Sequence, residues 1–328
     1  MKQVKFLCVV VFSGMLAWAV YALNHRPILD AYDALWLPPA DGATGQVRIT
    51  SLGVSTLLID DGESAFMVDG FFSRPGLFKV AATRLSPDHG RIAAGLKRVG
   101  VEQLMAVLVV HSHYDHVMDA PEVARRTGAL LVGSTSTANV GRGAGLPEDR
   151  IVAVEGDAAM RFGKFVVTMV KSRHFPHGKA MGEISEPLEV PARAMAYQEG
   201  GSYSIHVAHE SGSLLIQGSA GYIEGALANM PADVALLGIG LLGSKDQQYM
   251  HSYWHETVQA VGARRVIPIH WDDFFKPLEE RPRPFAYLLD DFDASMQFIL
   301  NRAAKEKVDV RLAPAWQSID PFEGLKKR

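Results

Sequence analysis

His111-Ser112-His113-Tyr114-Asp115-His116 is the stretch of this chain that decides its fold and its chemistry. It directly follows an apolar run at 104–110 that is short, uncharged and rich in valine and leucine, and that therefore predicts a buried strand. Ligand-binding side chains in α/β folds usually lie at the carboxyl ends of strands. Three imidazoles and one carboxylate at such a strand end can converge on a divalent metal ion. This donor set suits zinc, with iron or manganese as alternatives.

The stretch resembles the His-x-His-x-Asp-His signature of the metallo-β-lactamase superfamily. The resemblance implies two metal sites with three ligands each. Two ligands of each site come from the stretch itself, and the third is a histidine that follows another strand-like run, at 165–170 or at 266–269. The predicted ligands are His111, His113 and His174 for the first metal, and Asp115, His116 and His270 for the second.

The same resemblance implies the fold class, an α/β protein built as a four-layer αββα sandwich of two mixed β-sheets flanked by helices. Residues 47–60 resemble the first hairpin of the family, and residues 65–70 resemble its next strand, which ends in an Asp-Gly turn. Asp69 in that turn is predicted either to orient a metal-binding group or to be an ordinary turn residue. Strand-like and helix-like segments alternate along the chain, which also favours α/β layers. Helices are predicted at 91–99, 120–127, 254–261 and 294–305.

Within the superfamily, the short strands and the Pro268-Ile269-His270-Trp271 ending are most similar to a branch of broad hydrolases. That branch includes lactonases that act on ascorbate phosphate and phosphodiesterases of the phospholipase D type. The resemblance therefore implies a metal-dependent hydrolase of ester, lactone or phosphodiester bonds in a small-molecule substrate, with a hydroxide held by the metal as the nucleophile. A true β-lactamase and an iron redox protein are weaker alternatives.

One position departs from the family pattern. The family usually places an aspartate that bridges both metals in a turn after a strand, and here the strand is predicted at 213–217 and Ser219 stands in the turn. A neutral hydroxyl is a much weaker ligand than a carboxylate. The chain therefore binds either two metal ions with an altered bridge or one ion only. With one ion, Asp115 is free to orient or deprotonate water, so Asp115 is both a predicted ligand and the predicted catalytic residue. Ser219 also motivates the alternative of a non-catalytic or weakly active metal-binding module with the same fold.

The composition excludes several other classes of protein. The chain has 328 residues, of which 48% are hydrophobic and 21% charged, and its net charge is −3 without a run of basic residues. This is an ordinary globular composition, and it disfavours a nucleic-acid partner. The single cysteine, Cys8, lies in the N-terminal segment, so thiol chemistry is excluded as a mechanism.

The N-terminus begins with a short basic segment and continues as an uncharged apolar run at 6–23. This pattern is typical of a signal peptide or of an N-terminal membrane anchor, and both stay open. The predicted organisation is a signal or anchor at 1–23, a linker or arm at 24–44 and a metallo-β-lactamase-like hydrolase domain at 45–328. The protein is predicted to be exported, either periplasmic or associated with the membrane through the N-terminal segment with its catalytic domain outside.

Two further features lie near the predicted ligands. Residues 179–201 follow the third predicted ligand of the first site and contain two prolines and four glutamates; they are predicted to form either a wall of the substrate pocket or a solvated surface loop. His177 is predicted either to replace His174 as a ligand or to hydrogen-bond the leaving group. The remaining histidines are predicted to be structural or surface residues.

Overall fold

The computed structural model describes residues 13–15, 17–40, 45–157 and 159–326. The predicted signal or anchor at 1–23 lies largely outside these residues, and the part of it at 17–23 is helical. In the described part of the chain, no helix combines the length and the apolar character that crossing a membrane requires. In the predicted arm, Leu29–Leu35 forms a 3₁₀ helix, and the backbone N–H of Leu37 donates to the carbonyl of Leu312, so the arm packs on the domain.

The described residues form two seven-stranded mixed sheets and a small two-stranded one. The first sheet has the order β16-β1-β2-β3-β5-β6-β7 and the second has the order β15-β14-β13-β12-β11-β9-β8, while β4 pairs with β10. The strands are β1 (Arg48–Ser51), β2 (Leu57–Asp60), β3 (Ala65–Val68), β4 (Arg84–Leu85), β5 (Ala106–Leu108), β6 (Leu130–Gly133), β7 (Ile151–Ala153), β8 (Ala159–Phe162), β9 (Phe165–Ser172), β10 (Ala192–Arg193), β11 (Ser202–His209), β12 (Gly212–Gln217), β13 (Val234–Gly238), β14 (Arg265–Ile269), β15 (Asp309–Val310) and β16 (Ser318–Ile319).

Helices cover the outer face of each sheet, because alternate strand residues point to opposite faces and both faces are apolar. Side chains such as Ile59, Phe66 and Ile205 pack between the two sheets, whereas Met67 and Leu215 pack outward under helices. The helices are α1 (Leu77–Ala82), α2 (His89–Arg98), α3 (Tyr114–Val117), α4 (Ala120–Thr127), α5 (Thr135–Gly143), α6 (Gln247–Trp254) and α7 (Phe292–Glu306). Helices α2 to α5 lie on the first sheet, and α6 and α7 lie on the second. The predicted αββα sandwich is therefore confirmed.

Helix limits differ from the predictions where a capping residue decides them. The helix predicted at 254–261 is wrong in its extent, since α6 spans Gln247–Trp254 and a π-helical turn, His255–Gln259, follows it. The Asp246 side chain accepts a hydrogen bond from the N–H of Tyr249 and so begins the helix earlier. Helix α5 was not predicted, because its sequence is rich in glycine, serine and threonine. Ser134 caps it, and its apolar residues are buried against the sheet.

Candidate metal centre

The motif stretch changes from extended to helical conformation in its middle, and this change separates its side chains into two groups. His111 follows β5, and His113 is the extended N-cap residue of α3, the short helix that carries Asp115 and His116. The N–H of His116 donates to the carbonyl of His113 at 3.0 Å. The two histidines before the helix and the two predicted ligands within it therefore belong to two different donor groups, which are adjacent, since the ring centroids of His111 and His116 lie 3.8 Å apart.

The first group consists of His111, His113 and His174, whose candidate ligand atoms all lie within 4.8 Å of one another. His111 is completely enclosed, and neither of its ring nitrogens has a hydrogen-bond partner within the described part of the chain. Leaving buried polar atoms unpaired costs about 1–3 kcal/mol. The other two rings each use one nitrogen on a backbone carbonyl, at 2.8 Å from His174 Nδ1 to the oxygen of Phe175 and at 3.3 Å from His113 Nε2 to that of Ala180. A metal ion would satisfy the nitrogens that remain.

The second group consists of Asp115, His116 and His270, and its three donor atoms form a compact triangle. The Nε2 atoms of the two histidines are 3.2 Å apart, and Asp115 Oδ2 lies 3.6 Å from each of them. Tetrahedral zinc with bonds of about 2.0–2.2 Å separates its ligands by about 3.3–3.6 Å. The triangle therefore already has the dimensions of one face of a zinc tetrahedron, so these residues fit a metal ion.

Asp69 supports the second group from behind. Its Oδ2 atom lies 2.8 Å from His116 Nδ1 and accepts a hydrogen bond from Ser55 Oγ at 2.5 Å, and its Oδ1 atom accepts the backbone N–H of Val110 at 2.9 Å. A carboxylate at Nδ1 favours the tautomer whose Nε2 is free to bind metal. The contact favours the first of the two predictions for Asp69, that it orients a histidine and the adjoining backbone.

Most of the predicted ligands have pKa values that suit metal binding. Burial, reinforced by the surrounding imidazoles, holds the pKa of His111 well below its ordinary value, and burial lowers the pKa of His113 to about 4 and that of His174 to about 2. Burial alone would raise the pKa of Asp115, but the two neighbouring histidines outweigh it and hold the pKa well below the ordinary value. His270 differs, because burial is outweighed by its interaction with Asp115 and its pKa is raised. At neutral pH the first group therefore presents neutral imidazoles, the form that binds metal.

Ser219 follows β12 and makes a structural contact. Its hydroxyl accepts the backbone N–H of Phe175 at 3.0 Å, so it holds the turn that carries His174. Gly221 lets the serine turn approach this closely, because a Cβ atom there would lie 2.2 Å from the carbonyl oxygen of Arg173. The predicted place of a bridging aspartate is thus taken by a hydroxyl that stabilises the first ligand group from the side.

A cavity of about 380 Å³ opens above both ligand groups. The segment 179–201 contributes several of its lining residues, which favours the pocket-wall alternative over the solvated loop for this segment. A second wall, 274–290, was not anticipated as part of the site. Its one sequence signal is the pair Phe274-Phe275 close behind His270, whereas Asp290 had none. Burial raises the pKa of Asp290 to about 6, although its carboxylate accepts the backbone N–H of Leu241.

His177 also lines the cavity and packs against the first ligand group. Its ring centroid lies 4.7 Å from that of His174 and 5.7 Å from that of His113. Its Nδ1 atom accepts the backbone N–H of Lys179 at 2.9 Å. The histidines outside both ligand groups have other partners: His209 Nε2 is 3.4 Å from a carboxylate oxygen of Asp61, and His89 pairs with Glu122.

Comparisons with known proteins agree with this geometry. The β-lactamase superfamily domain matches residues 85–271. The UPF0173 metal-dependent hydrolase of Heliobacterium modesticaldum is 25% identical over 237 residues, which cover 70% of this chain and 84% of that protein. The UPF0173 metal-dependent hydrolase of Methanopyrus kandleri is 25% identical over 262 residues, which cover 77% of this chain and 96% of that protein.

Solved structures show the same fold at low sequence identity. A metallo hydrolase of Ignicoccus hospitalis superposes with a TM-score of 0.50 at 14% identity, covering 84% of this chain and 97% of that one. A Veillonella parvula protein described as a possible metal-dependent hydrolase has a TM-score of 0.52 at 13% identity, covering 84% and 99%. The domain match over residues 85–271, more than half of the chain, shows that the chain belongs to the β-lactamase superfamily, and the metallo-hydrolase family and the metallo-β-lactamase fold predicted from its sequence are confirmed.

Proposed function

We propose that this chain is a hydrolase that uses one or two zinc ions to cleave an ester, lactone or phosphodiester bond in a small-molecule substrate. The observation that carries the proposal is the pair of three-donor groups at the floor of an open cavity, with the fully buried His111 lacking any other partner for its ring nitrogens within the described residues. Relatives described as metal-dependent hydrolases support the same class of reaction. Iron and manganese remain alternative metals, since the donor set suits them too.

The donor count of each group suits catalysis better than a purely structural role. Structural zinc sites are usually closed by four protein ligands, whereas catalytic sites have three and leave a position open. A divalent ion held by these residues would acidify water and polarise the bond to be cleaved. Asp115 is proposed as a ligand of the second group, because its carboxylate lies equally close to both histidines of the triangle. If only the first group is loaded, the same carboxylate can accept a proton from water.

His177 is proposed to hydrogen-bond the substrate. Because its Nδ1 atom accepts the N–H of Lys179, a neutral ring carries its proton on Nε2. The ring lines the cavity beside His113 and His174, so this N–H is available for an oxygen atom of the leaving group. The replacement of His174 by His177 as a ligand is the less favoured alternative, because His174 lies with the other two donors.

The proposal is tested by measuring metal content and hydrolysis on the full chain. Plasma mass spectrometry is expected to give one or two zinc ions per chain after reconstitution, and a panel of a p-nitrophenyl ester, a lactone and bis(p-nitrophenyl) phosphate is expected to show zinc-dependent turnover of at least one member. His111→Ala should lose metal and turnover, while the surface variant His206→Ala should keep both. Full metal loading without turnover of any bond class would favour the metal-binding module that Ser219 motivates.

We also propose that the protein is exported, to the periplasm or to the outer side of the membrane, because residues 1–23 combine a basic start with an apolar run. Cell fractionation combined with mass spectrometry of the mature N-terminus tests this proposal. A truncated chain in the periplasmic fraction would indicate a cleaved signal, and a complete chain in the membrane fraction would indicate an anchor. A complete chain in the cytoplasmic fraction would contradict export.

A further inference from the structure

The cavity above the ligand groups has a polar floor and largely apolar walls. Phe274 and Phe285 line it from the segment 274–290, while Val80 of α1 and Met195 of the segment 179–201 line it from other parts of the chain. Small-molecule sites are typically apolar concavities of about 300–1,000 Å³ with a few polar groups that fix orientation. Here the donors of both ligand groups lie at the floor, while the walls carry Lys179 and Asp290 as their charged residues and are otherwise mostly apolar, so they can recognise hydrocarbon.

The aromatic wall begins at a predicted metal ligand. The ring of Phe274 packs on His270 with the centroids 5.8 Å apart and the planes at 81°, and it packs on Phe285 at 5.0 Å and 86°. Phe275 completes the group at 4.8 Å from Phe274. Edge-to-face packing of this kind holds the rings in place. The result is a continuous hydrocarbon surface that runs away from the second ligand group.

The base of this wall is fixed by ion pairs. Asp272 lies 2.6 Å from the Arg74 guanidinium and also accepts the backbone N–H of Val54 at 2.7 Å. Arg26 from the N-terminal arm reaches Asp273 at 3.3 Å. A wall fixed in this way needs little ordering when a ligand binds, which favours affinity for a matching apolar group.

Away from the metal ions proposed at its floor, the cavity has little positive charge. Among the lining residues of the described chain, Lys179 is the one lysine or arginine, and its side chain is exposed beside His177. Compact polyanions are usually held by several cations, with arginine preferred for its bidentate hydrogen bonds. The lining therefore matches a ligand with one polar group and a hydrocarbon part better than it matches a small, highly charged one.

We propose that the cavity binds the apolar chain of an acyl ester or a related amphiphile, with the cleavable group on the ligand floor and the chain along Phe274 and Phe285. The inference rests on the proposed function for the position of the cleavable group. Met195, which is 58% exposed, stands where the cavity meets solvent. Longer chains would leave the cavity past Met195.

Binding of linear carboxylates tests the inference without turnover. Acetate, hexanoate and decanoate, each below its micelle concentration, are titrated by calorimetry into the zinc-loaded full chain. Burial of each methylene group in the cavity should tighten binding about threefold to fourfold until the wall is covered. Equal affinities for the three carboxylates would overturn the inference.

Two methionines of the segment 179–201 provide a matched pair of variants. Met195 lines the cavity, whereas Met181, which is 50% exposed, is absent from its lining. Met195→Asp should weaken decanoate binding at least about tenfold and leave acetate binding unchanged, because it places a charge beside the chain. Met181→Asp should change neither. If both variants lose decanoate equally, or neither does, the apolar chain does not leave the aromatic wall past Met195 and the inference is wrong.

Hydrolysis of p-nitrophenyl acetate and p-nitrophenyl decanoate separates this inference from the proposed function. Chain-length-dependent carboxylate binding without ester hydrolysis would support the apolar site while contradicting acyl ester cleavage. Hydrolysis of both esters with the same KM, together with equal carboxylate affinities, would support the hydrolase and overturn the apolar site. A lower KM for the decanoate ester that is lost in Met195→Asp supports both.

Discussion

The two ligand groups contain three donors each but differ in charge. The first group has three imidazoles, with backbone carbonyls beside His113 and His174 and a serine hydroxyl bracing the turn. The second has the carboxylate of Asp115 as a donor and the carboxylate of Asp69 behind His116. A divalent cation is stabilised by negative charge in a poorly solvated site. With Ser219 in the place of a bridging aspartate, no ligand of the first group is charged, so the second group is expected to bind metal more tightly.

Removal of the Asp115 carboxylate should have the largest effect on the difference in metal affinity between the two groups. Asp115→Asn keeps the volume of the side chain and deletes its charge, so the second metal should be lost, with affinity lowered at least about 100-fold because even outer-shell changes cost 10–100-fold. Titration with zinc in competition with a chromophoric chelator measures the affinity of each group. His113→Asn should instead remove the first metal. If both variants lose the same ion, the two groups are one site.

Asp69→Asn tests whether the carboxylate behind His116 contributes. Asparagine tolerates the left-handed φ of 59° at this position and can still accept the N–H of Val110, so the fold should persist. Zinc affinity of the second group is expected to fall about 10–100-fold with the first unchanged. Ser55→Ala, which removes a neutral partner of the same carboxylate, is the milder control. Equal effects in the two variants would contradict an electrostatic role for Asp69.

Acid should destabilise the metal-free protein through the first group. The pKa of His113 lies at about 4 in the folded chain, below its ordinary value of 6.5, so the unfolded chain binds more protons between these values. Stability is then present above pH 6.5 and is lost as pH falls from about 6.5 to about 4. His270, whose pKa is raised, contributes with the opposite sign. Urea unfolding of the stripped protein at pH 7, 6 and 5 measures the slope.

His113→Gln should reduce this acid slope, with His111 and His174 keeping their share of it, while the surface variant His206→Gln should not alter it. A slope that is the same in all three proteins would mean that the first group does not determine the acid sensitivity.

Substitutions of Ser219 are expected to have the smallest effects, and two of them, to alanine and to aspartate, can be compared directly. Ser219→Ala deletes the acceptor for the N–H of Phe175 and is expected to cost about 0.5–1.5 kcal/mol of stability in urea unfolding. Ser219→Asp restores a carboxylate beside the first group, so it should raise zinc affinity there and leave the second group unchanged. Weaker zinc binding in Ser219→Asp than in Ser219→Ala would show that the carboxylate cannot reach the first group.

The sequence predicts the fold and the ligand set because both depend on local patterns. Strands such as β14 and β9 are apolar runs, and the histidines that follow them mark the edge of each sheet. Helix α6 was misplaced because the capping aspartate precedes a segment of mixed polarity. Asp290, Phe274 and Phe285 could not be predicted as part of the site. They line the cavity because the segment 274–290 packs beside His270, and this packing depends on tertiary structure and not on a local pattern. The ligand assignments themselves stay predictions until metal is measured.

The single turn of α3 has a consequence for how this site can decay in evolution. Four of the six donors come from six consecutive residues, and the change from extended to helical backbone at His113 assigns two of them to each group. An insertion or deletion in the stretch would misdirect donors of both groups at once. Loss of His174 or His270 would damage one group and spare the other. A descendant with one functional metal would therefore be reached by substitution of a single donor, in the motif or at a distant histidine, and not by a change in the length of the motif.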